Sequence, residues 1–382
     1  MIIGLEPSLI RWEDYFLRSG DAFAPFWKSI LQPQERHLLF VVGLGFDPRM
    51  CSAIREIMSQ GGVGKRDCLL IAFDEGPDSP SRQYHDMVKS NDEELSELMI
   101  GKGNITKHQL RMWSADGHRI GSRNAASVFR RIDALTQYTD IVVDISALPQ
   151  SIYFPLIAKL LLLLDSNEGS SPLPNLHVVV SESPDLDHII HPVGIDDEAT
   201  YLYGFGGGVD MEATAEIPRV WVPILGEDRG GELVRIYDLI QPDEICPVLP
   251  FPSSNPRRGD NLILEYRKLL LDGFLVEPTN IVYASEKNPF EVYRELAKTI
   301  SQWSTTLQPL GSCKIVISAL SSKILSLGAL LAAYQLRRMG QLVGIGHVEA
   351  RGYDISVHEP YVLKSMHQEL FEVWLAGECY AP

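Results

Sequence analysis

Four short patterns occur twice in this 382-residue chain, in the same order each time. The repeats are N-x-x-x-V-aromatic-R-x-aliphatic at Asn124 and Asn288, Ile-Ser-Ala-Leu at Ile145 and Ile317, Leu-Gly-x-Asp at Leu44 and Leu225, and Glu-x-x-x-x-Asp at Glu182 and Glu349. The order is kept and the offsets drift only between 164 and 181 residues, which predicts a tandem duplication. A duplicated α/β unit tends to build a two-fold-related site between its copies.

Apolar runs of strand length alternate with amphipathic stretches in both halves. Examples are 38–44 and 141–145 in the first half and 220–225 and 314–317 in the second. Continuous apolar strands separated by helices indicate a parallel sheet covered on both faces. We therefore predict an α/β fold of two tandem Rossmann-like domains, each a doubly wound parallel sheet of five strands with its strand-to-helix loops at one edge.

The pattern also predicts where the domains begin and end. Aromatic residues at helical spacing predict a helical N-terminal cap over 1–36. The repeats occupy 37–183 and 218–358, and the stretch 184–217, which contains His188, His191 and the glycine-rich run Gly204–Gly208, is predicted as the linker. Residues 359–382 are predicted to end in a C-terminal helix.

Composition excludes several classes of partner. A formal charge of −16 disfavours extended nucleic acid. The longest apolar run, 157–164, contains Lys159 and is too short to span a membrane. The five cysteines are scattered without metal-ligand spacing, and no signal peptide precedes the first domain, so we expect a cytoplasmic protein with free thiols and no metal site.

Two loops that follow the fourth strand of each repeat are the best candidates for ligand contact. The first loop contains Asp144, Ser146 and Ser151, and the second contains Ser318, Ser321, Ser322 and Lys323. Hydroxyl groups and backbone amides at a helix N-terminus, with a lysine beside them, can bind an anion. Serine is also an ordinary helix-start residue, so each loop taken alone has an equally good structural explanation.

Further candidates lie at other strand and helix ends. Asp47 with Arg49, and Asp228 in the second repeat, could orient a ribose or phosphate, although an Asp–Arg pair is also a common loop ion pair. Asn124 and Asn288 are expected to cap their helices and fix the loops. Gly43-x-Gly45 lacks the third glycine of a dinucleotide fingerprint, so no cofactor is identified.

The segments Val143-Asp144-Ile-Ser146-Ala and Ser318-Ala-Leu-Ser321-Ser322-Lys323 resemble the ligand loops of CARF-type Rossmannoid domains. The duplicated layout is similar to SAVED domains, in which two such units are fused in one chain. The first repeat departs from that pattern, because Pro149-Gln150 stands where Thr-Lys is expected. The resemblance implies a sensor of oligonucleotide messengers in prokaryotic antiviral defence, acting with a separate effector.

The sequence thus favours a cytosolic binding or sensor protein for a nucleotide-like or phosphorylated ligand held between two pseudo-symmetric domains. One alternative is a nucleotide-processing enzyme that uses Asp47, Asp74 or Asp144 as a base or metal ligand. Another is a structural subunit of a larger complex. We expect either a protein partner or a homo-oligomer.

Overall fold

The computed structural model describes residues 11–74, 76, 78–167, 172–209, 216–357 and 360–380. The chain divides into two compact units, and each is assembled from separate stretches of sequence. The host unit comprises Phe16–Gly194 and Ala350–Pro382, and the inserted unit comprises Met1–Tyr15 and Ile195–Glu349.

Strands and helices alternate along most of the chain. The strands are β1 Phe16–Ser19, β2 Leu38–Leu44, β3 Arg66–Phe73, β4 Ile105–Leu110, β5 Asp140–Asp144, β6 Asn175–Glu182, β7 Ile190–Pro192, β8 Thr200–Tyr201, β9 Arg219–Ile224, β10 Glu244–Ile245, β11 Val248–Pro250, β12 Val282–Ala284, β13 Lys314–Ala319, β14 Val343–His347, β15 Tyr353–Ile355 and β16 Glu369–Ala376. The helices are α1 Phe23–Leu31, α2 Ser52–Ser59, α3 His85–Met99, α4 Gly121–Ala125, α5 Gln150–Asp165, α6 Pro184–Ile189, α7 Gly230–Ile240, α8 Arg258–Glu265, α9 Pro289–Thr306, α10 Lys323–Arg338 and α11 Pro360–Ser365.

The host unit contains a seven-stranded sheet in the order β1-β16-β6-β5-β2-β3-β4. The five strands from β2 to β6 are mutually parallel, whereas β16 joins β6 antiparallel and β1 joins β16 antiparallel. All seven residues of β2 are buried, because helices cover both faces of a parallel sheet.

The inserted unit contains a second seven-stranded sheet in the order β12-β11-β9-β13-β14-β8, with β10 also paired to β9. Its strands are parallel except β8, which joins β14 antiparallel. The parallel strands of both sheets have the same order when they are numbered along the chain and β10 and β11 are counted as one interrupted strand. That order is 3-2-1-4-5, read from β4 to β6 in the host sheet and from β12 to β14 in the inserted sheet. Two mostly parallel sheets of this kind confirm a Rossmann-like α/β fold. Their common order is what a duplication would give, but the duplication itself stays a prediction.

The predicted C-terminal helix is wrong for most of its length. Pro360–Ser365 is an α-helix and Glu378–Tyr380 is a single turn of 3-10 helix, whereas Glu369–Ala376 forms strand β16, which pairs with β6 from Glu182 back to Leu176. Phe371, Val373 and Leu375 alternate along this segment and are fully or almost fully buried. The partner strand is about 190 residues away in sequence, so its pairing was not visible in the local pattern.

The predicted helical cap is also wrong as a single element. Residues 1–10 lie outside the described part of the chain, Phe16–Ser19 is strand β1, and only Phe23–Leu31 forms an α-helix. Trp12 packs edge-on against Tyr293 of the inserted unit at a centroid distance of 5.2 Å, whereas Phe26 and Trp27 join the host core. The aromatic residues of the N-terminal segment therefore belong to two cores rather than one.

The boundaries of the two units also differ from those of the predicted repeats. The predicted linker 184–217 contains α6, β7 and β8, and its residues 210–215 lie outside the described chain. The second predicted repeat, 218–358, runs past Glu349, where the chain re-enters the host unit. Within the described residues, no helix has the combination of length and apolar character that a membrane span requires.

Candidate functional site

Most of the predicted ligand residues lie at the carboxyl edge of one sheet or the other. In each sheet the strand order reverses beside the first strand, β2 in the host unit and β9 in the inserted unit. Asp47 and Arg49 follow β2; Asp144, Ser146 and Ser151 end or follow β5; Asp228 follows β9; and Ser321, Ser322 and Lys323 follow β13. Ligands of open α/β sheets bind at such reversal points. Whether these residues bind a ligand stays a prediction, but most of them lie at the edge where this class of sheet binds one.

In the host unit, Arg49 holds the loop after β2 through ion pairs with two carboxylates. Arg49 is 4% exposed and donates from Nε and Nη2 to the Asp47 carboxylate at 2.8–3.2 Å. Its Nη1 donates to Asp187 of α6 at 2.7 Å. Burial alone would lower the pKa of Arg49, but the two carboxylates outweigh it and raise that pKa. The guanidinium is therefore engaged within the protein.

Asn91 of α3 fixes the same loop from the other side. Its Nδ2 donates to the carbonyl oxygens of Gly45 and Asp47 at 2.9 and 3.0 Å. Asn91 is almost fully buried, so these two bonds satisfy its amide away from water. Sequence patterns did not single out this residue.

The loop after β5 is buried as well. Asp144 accepts a hydrogen bond from the Ser146 backbone at 2.8 Å, and Ser146 Oγ accepts one from the Ser181 backbone at 2.9 Å. Asp144, Ser146 and Ser151 are all at most 3% exposed. The hydrogen bonds of Asp144 and Ser146 tie β5 to its own loop and to β6.

Aromatic side chains cover this edge of the host sheet. Phe46 lies 5.1 Å from the ring of Tyr84 and 6.4 Å from that of Tyr353. Tyr84 OH donates to Asp354 and accepts from the Ile355 backbone at 2.8 Å. Burial and the Asp354 carboxylate raise the pKa of Tyr84. The strand β15, together with β7, thus caps the loop that carries Asp47.

The three acids of the enzymatic alternative all have structural contacts. Asp74 accepts from the Gly76 backbone at 2.9 Å, while Asp47 and Asp144 make the bonds described above. Within the described residues, no group of three or more His, Cys, Asp or Glu side chains is arranged to hold a metal ion. His188 lies in α6. His191 lies in β7, and its Nδ1 is within hydrogen-bond distance, 3.1 Å, of the Ile189 carbonyl oxygen.

In the inserted unit, Tyr266 fixes the loop after β9. Its hydroxyl donates to the Gly226 carbonyl at 2.6 Å and accepts from the Arg229 backbone at 2.8 Å. Asp228 has a φ of 59°, its backbone donates to Glu265 at 2.8 Å, and the residue is exposed. A Cβ at Gly226 would lie 2.2 Å from the Leu320 carbonyl oxygen, which shows how closely the loops after β9 and β13 approach.

Arg258 connects three loops of this edge. Its Nε and Nη2 each donate to Glu227 at 2.7 Å, and Nη1 donates to Glu286. Burial would lower the pKa of Arg258, but Glu227 and Glu286 raise it. These partners lie 31 and 28 residues away, which is why sequence patterns did not reveal them.

The loop after β13 presents the polar groups that the sequence predicted. Ser322 is the N-cap of α10 and accepts from the Leu325 backbone at 3.4 Å, while Lys323 is the first helical residue. Ser321 Oγ is shielded from solvent and has no hydrogen-bond partner within the described structure. An unsatisfied buried hydroxyl is costly unless a ligand or water completes it.

The remaining predicted residues lie elsewhere. Ser318 is fully buried within β13 and accepts from Trp221 Nε1 at 3.0 Å. Asn288 caps α9, as predicted, by accepting from the backbones of Phe290 and Glu291. The predicted cap at Asn124 is wrong, because Asn124 lies inside the short helix α4 and donates to the Arg111 carbonyl.

A second polar cluster, which the sequence did not suggest, lies in the host core. His177 is fully buried; its Nδ1 is 2.6 Å from Glu372 and its Nε2 is 3.4 Å from Asp140. Burial alone would lower the pKa of His177, but Glu372 and Asp140 outweigh it and raise that pKa to about 9. Trp27 and Trp374 pack on the imidazole at centroid distances of 5.1 and 4.8 Å.

No protein-family model matches the chain, and no curated protein matches it. A functionally unknown protein from Pseudomonas aeruginosa PAO1 is 10% identical, with a TM-score of 0.21 over 81% of this chain and 91% of that one. A putative uncharacterized protein from Mycobacterium Paratuberculosis is 9% identical, with a TM-score of 0.21 over 85% and 89%. NadR protein in complex with NAD and AMP-PNP is 10% identical, with a TM-score of 0.24 over 82% and 91%. At these TM-scores the three similarities support no conclusion about this chain.

Proposed function

We propose that this chain is a binding protein for a nucleotide-like, phosphorylated small molecule, and that the inserted unit holds the phosphate. The observation that carries the proposal is the start of α10, where Ser321, Ser322 and Lys323 lie beside the point at which the strand order reverses. The first backbone N–H groups of a sixteen-residue helix attract an anion through the helix dipole.

The unsatisfied Ser321 hydroxyl supports the same position. Its Oγ has no partner within the described structure, whereas the Ser146 hydroxyl in the host loop after β5 accepts a hydrogen bond from the Ser181 backbone. After a rotation of the Ser321 side chain, which is shielded from solvent at Oγ although the residue is partly exposed, a phosphate oxygen at the start of α10 would supply the missing acceptor. Lys323 adds a positive charge at the first helical position.

The host unit is a poorer candidate for the phosphate. Its corresponding helix, α5, begins with Gln150 and has no lysine in its first turn. Its only nearby guanidinium in the loop after β2, Arg49, is buried between Asp47 and Asp187. Phe46, Tyr84 and Tyr353 cover this edge. The proposed site therefore uses one edge only.

Titration calorimetry of the full chain with nucleoside monophosphates and with inorganic phosphate tests this proposal. We expect Lys323→Ala to weaken nucleotide binding by about tenfold or more, because a charge-assisted hydrogen bond contributes roughly 1.5–3 kcal/mol. The matched control is Gln150→Ala, the first residue of α5, which should leave the affinity unchanged. Equal affinities of both variants and the wild-type protein would overturn the proposal that the phosphate binds at the start of α10.

Incubation of the same ligands with Mg²⁺ or Mn²⁺ separates binding from turnover. If the ligand is consumed, the enzymatic alternative replaces the binding role. The sensor role in prokaryotic defence that the loop resemblance implies stays a prediction, because it requires a ligand to be found first.

A further inference from the structure

Two large aromatic side chains are exposed at the carboxyl edge of the inserted sheet. Phe251 and Tyr283 are each 55% exposed, and their rings meet edge to face with centroids 6.2 Å apart and planes at 77°. Exposed single aromatics are common, but a contacting pair at the ligand edge of an α/β sheet calls for an explanation.

The position of the pair relates it to the start of α10. Phe251 directly follows β11, and Tyr283 lies in β12, the outermost strand of the sheet. The order β12-β11-β9-β13 then leads to Ser321 and Lys323. Since neighbouring strands lie about 4.8 Å apart, the rings and the proposed phosphate position are separated by roughly 10–15 Å.

The backbone holds the aromatic pair in place. Phe251 donates from its backbone to the Ala284 carbonyl at 2.8 Å, and Glu286 donates to the Pro252 carbonyl at 3.0 Å. Ser254 donates from its backbone to the Glu286 carboxylate at 2.6 Å. Arg258 then joins Glu286 to Glu227, so the aromatic loops and the loop after β9 are linked by ion pairs. A preorganised surface of this kind loses little entropy on binding.

The polar groups change in character across the edge. Glu227, which is half-exposed, and Asp228 follow β9, which stands between β11 and β13 in the strand order. Carboxylates repel a phosphate but accept hydrogen bonds from sugar hydroxyls. From β12 towards β13, the edge therefore presents an aromatic face, then carboxylates that can accept hydrogen bonds from hydroxyl groups, and then an anion site. A planar base, a ribose and a phosphate meet these three requirements in that order.

We propose that Phe251 and Tyr283 form the stacking face for the base of a nucleotide. The inference rests on the proposed function, because the phosphate of the same nucleotide is taken to lie at Ser321–Lys323. Aromatic stacking is tolerant of base identity, so the pair selects nucleotides over other phosphorylated sugars rather than one base over another.

Calorimetry with AMP, GMP, CMP and UMP, and with ribose 5-phosphate as the abasic probe, tests the inference. We expect at least one nucleotide to bind the wild-type chain tenfold or more tightly than ribose 5-phosphate, since stacking contributes about 1–3 kcal/mol per base, or roughly 5- to 150-fold. In the double variant Phe251→Ala/Tyr283→Ala, that nucleotide should bind only as tightly as ribose 5-phosphate, whose own affinity should not change.

The matched control is Leu310→Ala, which removes an exposed apolar side chain before β13, at the opposite edge of the same sheet. It should retain the wild-type preference. Equal binding of nucleotides and ribose 5-phosphate to the wild-type chain overturns the stacking face but leaves the phosphate site standing. Failure of every probe overturns both proposals. If the double variant alters the sedimentation coefficient and leaves nucleotide affinity intact, the pair is a protein contact and the inference is wrong.

Discussion

Arg49 and His177 show how the host unit keeps a basic side chain away from water. Each lies between two carboxylates, Asp47 and Asp187 for the arginine and Glu372 and Asp140 for the histidine. Removing a charge from water costs several kcal/mol, and one carboxylate in fixed geometry seldom offsets that cost completely. The Asp47–Arg49 pair was visible in the sequence because its members are two positions apart; the other three carboxylates lie far away along the chain.

The raised pKa of His177 predicts a loss of stability at alkaline pH. The folded-state pKa of about 9 lies above the ordinary value of 6.5, so the contribution is complete below pH 6.5 and is lost as the pH rises through 9. The free energy of unfolding should fall across that window, by no more than about 1.4 kcal/mol for each pH unit, which is the limit for one proton. Urea unfolding followed by circular dichroism between pH 6 and 10 measures it, with His177→Gln as the comparison. A wild-type curve with the same slope as the variant contradicts this assignment.

The two carboxylates that bind Arg49 should contribute unequally to stability. Asp47 is largely buried, and Asp47→Ala should destabilise the chain by roughly 3–5 kcal/mol because a buried cation loses its main partner. Asp187 is about half exposed, so Asp187→Ala should cost only about 1 kcal/mol. Chemical denaturation of both variants gives the order of the two effects. A larger loss for Asp187→Ala would show that α6, rather than the loop after β2, is the main support of Arg49.

At the level of elements, strands that are buried on both faces were predicted well. Strand β2 matches the predicted run 38–44, and β13 begins at the predicted Lys314, because continuous apolar runs have one stable position in a parallel sheet. Strand β16 was predicted as a helix, since its apolar pattern suits either structure until β6 is known to pair with it. The repeated asparagine pattern likewise gave two different structures, an 18-residue helix at α9 and only a five-residue helix at α4.

The two asparagines should therefore respond differently to substitution. Asn288→Ala removes the N-cap of α9 and should destabilise the chain by about 1 kcal/mol or more, whereas Asn288→Asp retains the capping oxygen and should cost less. Asn124→Ala is the matched control and should change stability by no more than about 0.5 kcal/mol, because its amide bond is exposed and caps no helix. Thermal unfolding of the three variants compares them directly. Equal losses at both positions would argue that Asn124 has a capping role after all.

At the level of the whole molecule, the chain changes unit three times, after Tyr15, Gly194 and Glu349. Composition and periodicity predicted two α/β domains, but they could not reveal that the host unit takes its strands β1 and β16 from outside the predicted repeat 37–183. The same limitation applies to the candidate site. Sequence patterns selected residues at the carboxyl edge of each sheet, while the Arg258 ion pairs and the covering of the host edge depend on contacts between distant residues.

A fragment of residues 37–183 should therefore fail to fold cooperatively. It lacks β16, which pairs with β6 along most of that strand, and it leaves His177 without Glu372. A chain in which residues 16–194 are joined to 350–380 by a short flexible linker contains every strand of the host sheet, and it should show a single cooperative transition. Denaturant titrations of both fragments distinguish the outcomes. Cooperative unfolding of 37–183 alone would show that β1 and β16 are dispensable.

Because β16 lies between β6 and β1, the host sheet cannot be completed until the last part of the chain has been synthesised. The whole inserted unit is synthesised before Glu369–Ala376, so β6 presents an open hydrogen-bonding edge throughout that interval. At about 5–20 residues per second, the wait from Glu182 to Ala376 lasts on the order of ten to forty seconds. Nascent chains of this protein should therefore depend on chaperones that shield strand edges until translation has passed β16.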